Sequence, residues 1–461
     1  MSSGDLMLRS SDTGKYILLT DVVWGPSQYA AAQKLAINQI DVKTAFLNGE
    51  LVEEVYIMPP PGLAVKGRVW RLNKAVYGLK QAANVWYKKW VTVMLGVGLK
   101  PSQSDPCLFI GKAPDGSPLR VGLYVDDALL FGTGSQVQKL VGEIESTFEI
   151  KDMGLLTPGK AAKFLGMQVL RYTQPERGIF LSQRCYAEEM LALFGMEKCK
   201  PAKSPMAVGV RLEHEGEELP EENEYAAIVG RLLWLLKTRP EIAYAVGLLA
   251  RFVSCPREPH LTAAKRVLRY IAKDPGAGIF FRGTTENGAK LNLSGKLYSD
   301  ADFVSDLTMR KSTSGMVFIF GGAPILWRSK LQTIVAQSTC EAEFVAAAAA
   351  VREGLWFGRS KKVRQIIADV WGSLAPLMLC CDNESAITLL NSSTPKVSGR
   401  TKHIGVQFWF VLDHIMKQEV HVMYVPTDAM VADPLTKPYN GEATQRAQKM
   451  LGMRSGLHFK V

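Results

Sequence analysis

The chain has 461 residues, 47% hydrophobic and 21% charged, with 55 Lys+Arg against 44 Asp+Glu and a formal charge of +11. That apolar content excludes a disordered tail, and seven cysteines without a CxxC pair indicate neither a zinc cluster nor a disulfide framework. At roughly 100–200 residues per domain the length implies two to four domains, and the basic balance implies a polyanionic partner.

No apolar run approaches the ~20 residues a membrane span needs, and the N-terminus lacks a basic stretch followed by an apolar one. The expectation is an intracellular chain, cytoplasmic or nuclear rather than secreted, with no membrane partner. Residues 1–37 carry no recognisable pattern. Ile40-Asp41-Val42 then places an acid at the end of an apolar, strand-like segment. From Val55 to Ser104 there is no Asp or Glu, while Lys66, Arg68, Arg71, Lys74, Lys80, Lys88, Lys89 and Lys100 contribute +8. Trp70, Tyr77, Trp86, Tyr87 and Trp90 interleave with them. This is the composition of a groove that follows phosphates and stacks on bases, and equally of a solvated face over an ordinary core.

In Val121–Phe131 two adjacent acids, Asp126 and Asp127, interrupt a strand-like apolar run. Unpaired buried carboxylates are strongly destabilised, and a divalent cation is an economical partner; oxygen-only ligation suits Mg²⁺. Asp41, Asp126 and Asp127 together could hold two such ions for an in-line phosphoryl transfer, although each Asp taken singly also fits a turn or cap. The spacing of Gly154–Ala161 imitates a phosphate-binding loop, but Ala161 stands where Ser or Thr is required. That reading is excluded.

Seven glutamates between Arg211 and Glu224 mark an exposed linker and the main boundary. Tyr225–Val253 and His260–Ala272 have helical spacing, and His260, just after Pro259, reads as a surface or capping residue. Lys296–Phe303 and Met316–Trp327 read as strands around the Gly321-Gly322 turn, Glu341–Trp356 as an Ala-rich helix and Pro376–Cys381 as a strand. Thr401–Lys417 reads as an amphipathic helix and Glu419–Val425 as a last strand. This is an α/β unit with a mixed sheet. Its acids stand at element boundaries: Asp300 and Asp302, Glu341 and Glu343, Asp382, and Asp433. Four of them together could again cage two metals. On a strand Asp300 and Asp302 share a face, so periodicity does not choose between them, whereas on a helix Glu341 and Glu343 face apart.

Several ordered motifs resemble the reverse transcriptase of Ty1/copia-type LTR retrotransposons. They are Asp41-Val-Lys-Thr-Ala-Phe-Leu-Asn-Gly-Glu-Leu, Val76-Tyr-Gly-Leu-Lys-Gln-Ala, Asp105-Pro-Cys-Leu-Phe and Tyr124-Val-Asp-Asp. Phe164-Leu-Gly-Met, Tyr225-Ala-Ala-Ile-Val-Gly-Arg-Leu and Thr238-Arg-Pro-Glu-Ile-Ala-Tyr continue the match, which covers about residues 38–438. The resemblance implies an α+β and α/β chain: a reverse transcriptase palm and thumb, a helical connection, and a ribonuclease H-like mixed-sheet domain. The corresponding segments are 1–37 divergent, 38–200 palm and thumb, 201–224 acidic linker, 225–290 helical connection, 291–440 ribonuclease H-like and 441–461 tail.

It further implies that Asp41, Asp126 and Asp127 are catalytic metal ligands, that Phe46 excludes a ribose 2′-hydroxyl, and that Gln81 contacts the nucleotide. In the second unit it implies Asp300, Glu341, Asp382 and Asp433 as catalytic metal ligands, with Glu341 fitting the family pattern better than Glu343. Lys80, Lys402 and His403 are the implied substrate contacts. The implied cofactor is Mg²⁺, or Mn²⁺, two per active site, and the implied partners are an RNA template, a DNA primer strand, dNTPs and the RNA–DNA hybrid. Residues 1–38 offer Lys15 and Lys34 but no match to the basic clamp on the incoming triphosphate. Truncated fingers are therefore expected, with hybrid cleavage more credible than processive synthesis; a polymerase-inactive remnant that binds nucleic acid is the alternative.

Overall fold

The computed structural model describes residues 27–456 except 28–29, 32, 61, 64–67, 103–104, 174–175, 284–294, 307, 360–375 and 393–404. Lys66, Lys402 and His403 lie outside the described residues.

Strand β1 (Ala36–Val42) is followed by a separate two-stranded ribbon of β2 (Glu50–Ile57) and β3 (Trp70–Lys74). Then come α1 (Ala82–Gly96), β4 (Lys100–Pro101), β5 (Leu108–Lys112), β6 (Pro118–Tyr124), β7 (Asp127–Gly132), α2 (Gly134–Glu145) and β8 (Ile150–Leu155). The strands form a six-stranded sheet ordered β4-β5-β6-β7-β1-β8. Ala128–Phe131 are all fully buried, as expected of a central strand covered on both faces. Helix α1 buries Ala82, Trp86, Trp90 and Met94, a stripe at every fourth residue. The aromatics of the basic tract therefore divide: Trp86 and Trp90 are core, whereas Trp70 and Tyr77 are exposed beside Arg68, Arg71, Lys74 and Lys80.

A second sheet, ordered β18-β12-β11-β10-β9, contains β9 (Ala161–Phe164), β10 (Met167–Tyr172), β11 (Gly178–Ser182), β12 (Gly278–Arg282) and β18 (Met453–Arg454). Residues 154–161 run from β8 into β9 with no helix to receive a phosphate, consistent with excluding a phosphate-binding loop there. Helices α3 (Arg184–Leu193), α4 (Tyr225–Leu235), α5 (Ala243–Leu249) and α6 (Glu258–Lys273) share one core that includes Met190, Tyr225, Leu232, Val246 and Leu268. The acidic segment is not a free linker. Ala202 and Met206 sink into that core, and the Glu213 carbonyl accepts a hydrogen bond from His260, while Glu221 and Glu222 stay exposed. His260 is a capping residue but not a surface one, being fully buried. Its Nδ1 accepts the Arg257 backbone N–H at 2.9 Å, so Nε2 carries the proton given to Glu213, and burial lowers its pKa.

The third sheet, ordered β15-β14-β13-β16-β17, is mixed. It comprises β13 (Lys296–Asp306), β14 (Lys311–Phe320), β15 (Ala323–Leu331), β16 (Leu377–Cys381) and β17 (Val420–Tyr424). The β13-β14-β15 ladders are antiparallel and the β13-β16-β17 ladders parallel. Gly321 and Gly322, with φ of +57° and +80°, make the expected turn, here the hairpin between β14 and β15. Helix α7 (Thr339–Arg359) buries Phe344, Ala347, Ala348 and Val351 against this sheet. Helices α8 (Glu384–Leu390) and α9 (Gly405–Met416) complete the unit, and α10 (Gly441–Met450) packs against β18 of the second sheet. Among the described residues no helix is long and apolar enough to cross a membrane.

Candidate functional site: two carboxylate clusters

The first cluster stands where β1 meets the β6–β7 hairpin. The register pairs Asp41 with Asp127 across adjacent antiparallel strands, and residues directly opposite each other share a face. Tyr124 pairs with Asp127, leaving Val125 and Asp126 as a two-residue turn. Val125 has φ +54°, a strained conformation for a β-branched residue. Two bonds hold it: the Trp86 indole donates to the Val125 carbonyl at 2.6 Å, and the Val42 N–H donates to the Asp126 carbonyl at 2.7 Å. The buried tryptophan of α1 thus fixes the turn that presents Asp126.

Gln39, two residues before Asp41 and on its face, donates to the Asp127 carboxylate at 3.2 Å and to the Lys163 carbonyl at 2.7 Å. Burial raises the Asp127 pKa, and Asp126 and Asp41 add to the rise while the Gln39 bond opposes it. Burial, followed by the fields of Asp126 and Asp41, also raises that of Tyr77, whose ring centroid lies 4.5 Å from that of Phe46. Phe46 is thereby placed one aromatic contact from the acids. Gln81 is half-buried immediately before α1 and Lys80 is exposed. Among the described residues neither hydrogen-bonds the three acids.

The second cluster gathers at one end of the third sheet. Asp300 on β13 is 5% exposed and accepts from the Thr436 hydroxyl at 2.6 Å; that hydroxyl also contacts the Asp433 carbonyl at 2.8 Å. Asp433 is held by Lys437 at 2.6 Å and by the Tyr439 hydroxyl. Asp382, just past β16, accepts from the Thr427 hydroxyl at 2.8 Å. Burial, then Asp433 and Asp382, push the Asp300 pKa up to about 7. Asp302 opposes Thr313 farther along β13 and senses Lys437 and Asp433, so Asp300 is the strand acid that couples to Asp382 as well.

The helix acid in this cluster is Glu343, not Glu341. Glu341 turns back to accept the Gln337 N–H at 2.8 Å, and its own N–H binds the Ser338 hydroxyl, so it caps the start of α7. Glu343, two residues on, faces the other acids. Burial, then Asp300 and Asp382, push its pKa up to about 9, and its Oε2 is buried without a hydrogen-bond partner. Among the described residues, the metal-ligand set whose atoms all fall within 4.8 Å of one another is Glu343, Cys381 and Asp382. Sequence reading missed the supporting residues Thr427, Thr436, Lys437 and Tyr439. Lys437 alone was signalled, by its i,i+4 spacing from Asp433.

Four converging acids with an orphaned buried oxygen need protons or cations. The all-oxygen donors on three elements and the turn at Asp433 fit a hard divalent ion such as Mg²⁺ or Mn²⁺. Glycine at 315, opposite Asp300, makes the gathering possible: a Cβ there would lie 2.7 Å from Thr436 Cγ2 and 2.8 Å from the Ala432 carbonyl. Gly315→Ala is therefore expected to push the Asp433 turn outward and to destabilise the chain by about 1–3 kcal/mol, measured by thermal or denaturant unfolding.

Residues 21–208 match the family model "Reverse transcriptase (RNA-dependent DNA polymerase)". The "Retrovirus-related Pol polyprotein from transposon TNT 1-94" of Nicotiana tabacum is 34% identical over 438 residues, which is 92% of this chain and 31% of that one. The "Putative transposon Ty5-1 protein" of Saccharomyces cerevisiae is 31% identical over 321 residues, 68% of this chain and 100% of that one. The chain spans less than a third of the Pol polyproteins it matches at 34–36% identity. In fold it is similar to a foamy viral protease-reverse transcriptase solved with dsDNA. The TM-score is 0.51 at 11% identity, covering 85% of this chain and 68% of that one.

Proposed function

Because the chain belongs to the Ty1/copia-type Pol family and carries the reverse transcriptase fold followed by a ribonuclease H-like unit, we propose that it performs phosphoryl transfer on nucleic acid at both carboxylate clusters. The first cluster is the RNA-directed DNA polymerase site and the second cleaves the RNA strand of an RNA–DNA hybrid. Hybrid cleavage is the activity the geometry supports best, and the observation that carries it is that Asp300, Asp382 and Asp433 all act on the buried Glu343, whose Oε2 has no hydrogen-bond partner.

In the second cluster Asp300, Glu343, Asp382 and Asp433 would hold the divalent ions, which when bound supply charge neutralisation and an activated oxygen nucleophile. The protein's own part is orientation. Thr436 aims Asp300, Thr427 aims Asp382, and Lys437 with Tyr439 fix Asp433, so that the carboxylates need not reorganise when substrate arrives. In the first cluster Asp41, Asp126 and Asp127 are the proposed ligands. The exposed Lys80 with Arg68, Arg71 and Lys74 is the proposed path of the template–primer backbone. Phe46 is the proposed check on the sugar 2′-hydroxyl and Gln81 a proposed nucleotide contact.

Primer extension on an RNA template, run beside cleavage of an RNA–DNA hybrid, tests the reading. Both activities, or cleavage alone, support the nuclease assignment; duplex binding with neither activity refutes it in favour of a binding remnant.

The acids also set a pH dependence. A carboxyl whose folded pKa is raised takes up protons on folding, so its favourable contribution is complete below its unfolded pKa and is lost as pH rises through the folded value. With Asp300 at about 7 and Glu343 at about 9, the metal-free chain is expected to lose thermal stability as pH climbs from about 4 to 9. Mg²⁺ or Mn²⁺ should restore it, more at the alkaline end, because cations replace the protons. Thermal melts with and without the cation check this; a restoration independent of pH counts against it.

A further inference from the structure

One side chain in the second cluster has no place in hard-ion phosphoryl transfer: Cys381. Strand alternation along β16 puts Leu379 in the core beneath α7 and Cys380 in the opposite core with Val317 and Val425. Cys381 therefore turns to the α7 side, as Leu379 does, and it is fully buried. Its sulfur meets the carboxylates of Glu343 and Asp382, all three ligand atoms lying within 4.8 Å of one another. Burial, with the carboxylates of Glu343 and Asp382, raises the thiol pKa against the Asn383 backbone N–H directed at the sulfur, so the sulfur keeps its proton until a cation displaces it. The Glu343 oxygen without a partner is enclosed in the same place, so the pocket holds an unused donor as well as a thiol.

We propose that Glu343, Cys381 and Asp382 form a thiophilic cation site that takes Zn²⁺ or Cd²⁺ and, once filled, blocks the carboxylate cluster. The inference rests on the proposed nuclease reading only for its inhibitory consequence. A sulfur and two carboxylate oxygens are a three-ligand set for tetrahedral Zn²⁺, with a fourth position left to water. Mg²⁺ takes oxygen ligands and gains nothing from the sulfur, whereas thiolate selects borderline and soft ions. On binding, the metal–sulfur bond forms as the S–H bond breaks, and the proton leaves to solvent; no electrons are exchanged. Glu343 and Asp382 then serve an ion of the wrong geometry, and the hard-ion arrangement with Asp300 and Asp433 cannot assemble around them.

The test is titration of the full-length chain with Cd²⁺, followed by the ultraviolet cadmium–thiolate charge-transfer band, in the wild type, Cys381→Ala and Glu343→Gln. The wild type should show a saturable band that Cys381→Ala lacks, with the six other cysteines as the internal control. Glu343→Gln keeps the thiol and should bind Cd²⁺ at least about tenfold more weakly. A band unchanged in Cys381→Ala, or no band in the wild type, overturns the site. In parallel, hybrid cleavage in Mg²⁺ should be inhibited by Zn²⁺. A chain with the band but no cleavage refutes the nuclease reading and leaves the site standing. Cleavage with no band refutes the site alone.

Discussion

Glu343→Gln is expected to reduce RNA–DNA hybrid cleavage by at least about 10²-fold, a loss typical of removing one preorganised charge-stabilising group, whereas Glu341→Gln should cleave within a few-fold of wild type. The two acids are two residues apart, so the pair is a strict test of which helix face carries the chemistry. Glu341 accepts a backbone N–H at the start of α7, and neutralising an acid there costs about 0.3–1 kcal/mol of helix-end stability. Glu343 is buried among Asp300, Asp382 and Asp433, and its second oxygen has no protein donor. The stability readout runs opposite to activity. Without metal, Glu343→Gln removes a carboxyl that folding protonates, so the variant should lose less thermal stability than wild type as pH rises from about 5 to 9. A cleavage defect in Glu341→Gln equal to that in Glu343→Gln would return the assignment to Glu341.

That exchange shows what sequence could reveal. Acids at element boundaries were readable because both clusters interrupt apolar runs, and Asp41 with Asp127, and Asp300 with Asp433, come together in the folded chain. Along α7 the resemblance points to Glu341 while the geometry brings Glu343 to the other acids, and spacing says only that positions 341 and 343 diverge. Yet Ser338-Thr-Cys-Glu341 is a Ser-x-x-Glu capping pattern, which assigns Glu341 to the helix end and leaves Glu343 for the interior. The acidic segment misled in another way. Its charge count signalled exposure, but Ala202 and Met206 at its start anchor it to the helical core, and a short apolar anchor is invisible beneath seven glutamates. The tract from Val55 to Ser104 was divided by tertiary burial: its tryptophans at 86 and 90 fall on one stripe of α1 and its lysines elsewhere.

Asp126→Asn is expected to abolish primer extension, by at least about 10²-fold, while leaving hybrid cleavage intact. The carboxylate sits on a two-residue turn and is half-buried, and its charge acts on Asp127 together with that of Asp41, so the isosteric amide fits without repacking. The two sites share no ligand, so loss at one should not appear at the other. Trp86→Phe probes the support. It keeps most of the ring in a core that also holds Trp90 and Phe148 but removes the donor to the part-buried Val125 carbonyl, at a cost of about 0.5–1.5 kcal/mol for the lost hydrogen bond. With that bond gone, the valine held at φ +54° loses its hydrogen-bonded anchor on α1, and the turn can relax toward ordinary backbone, taking Asp126 away from Asp41. Trp86→Phe should therefore lower extension much more than hybrid cleavage, and denaturant unfolding followed beside both assays separates lost positioning from lost fold. Equal loss of both activities, tracking stability, would reduce Trp86 to a core residue.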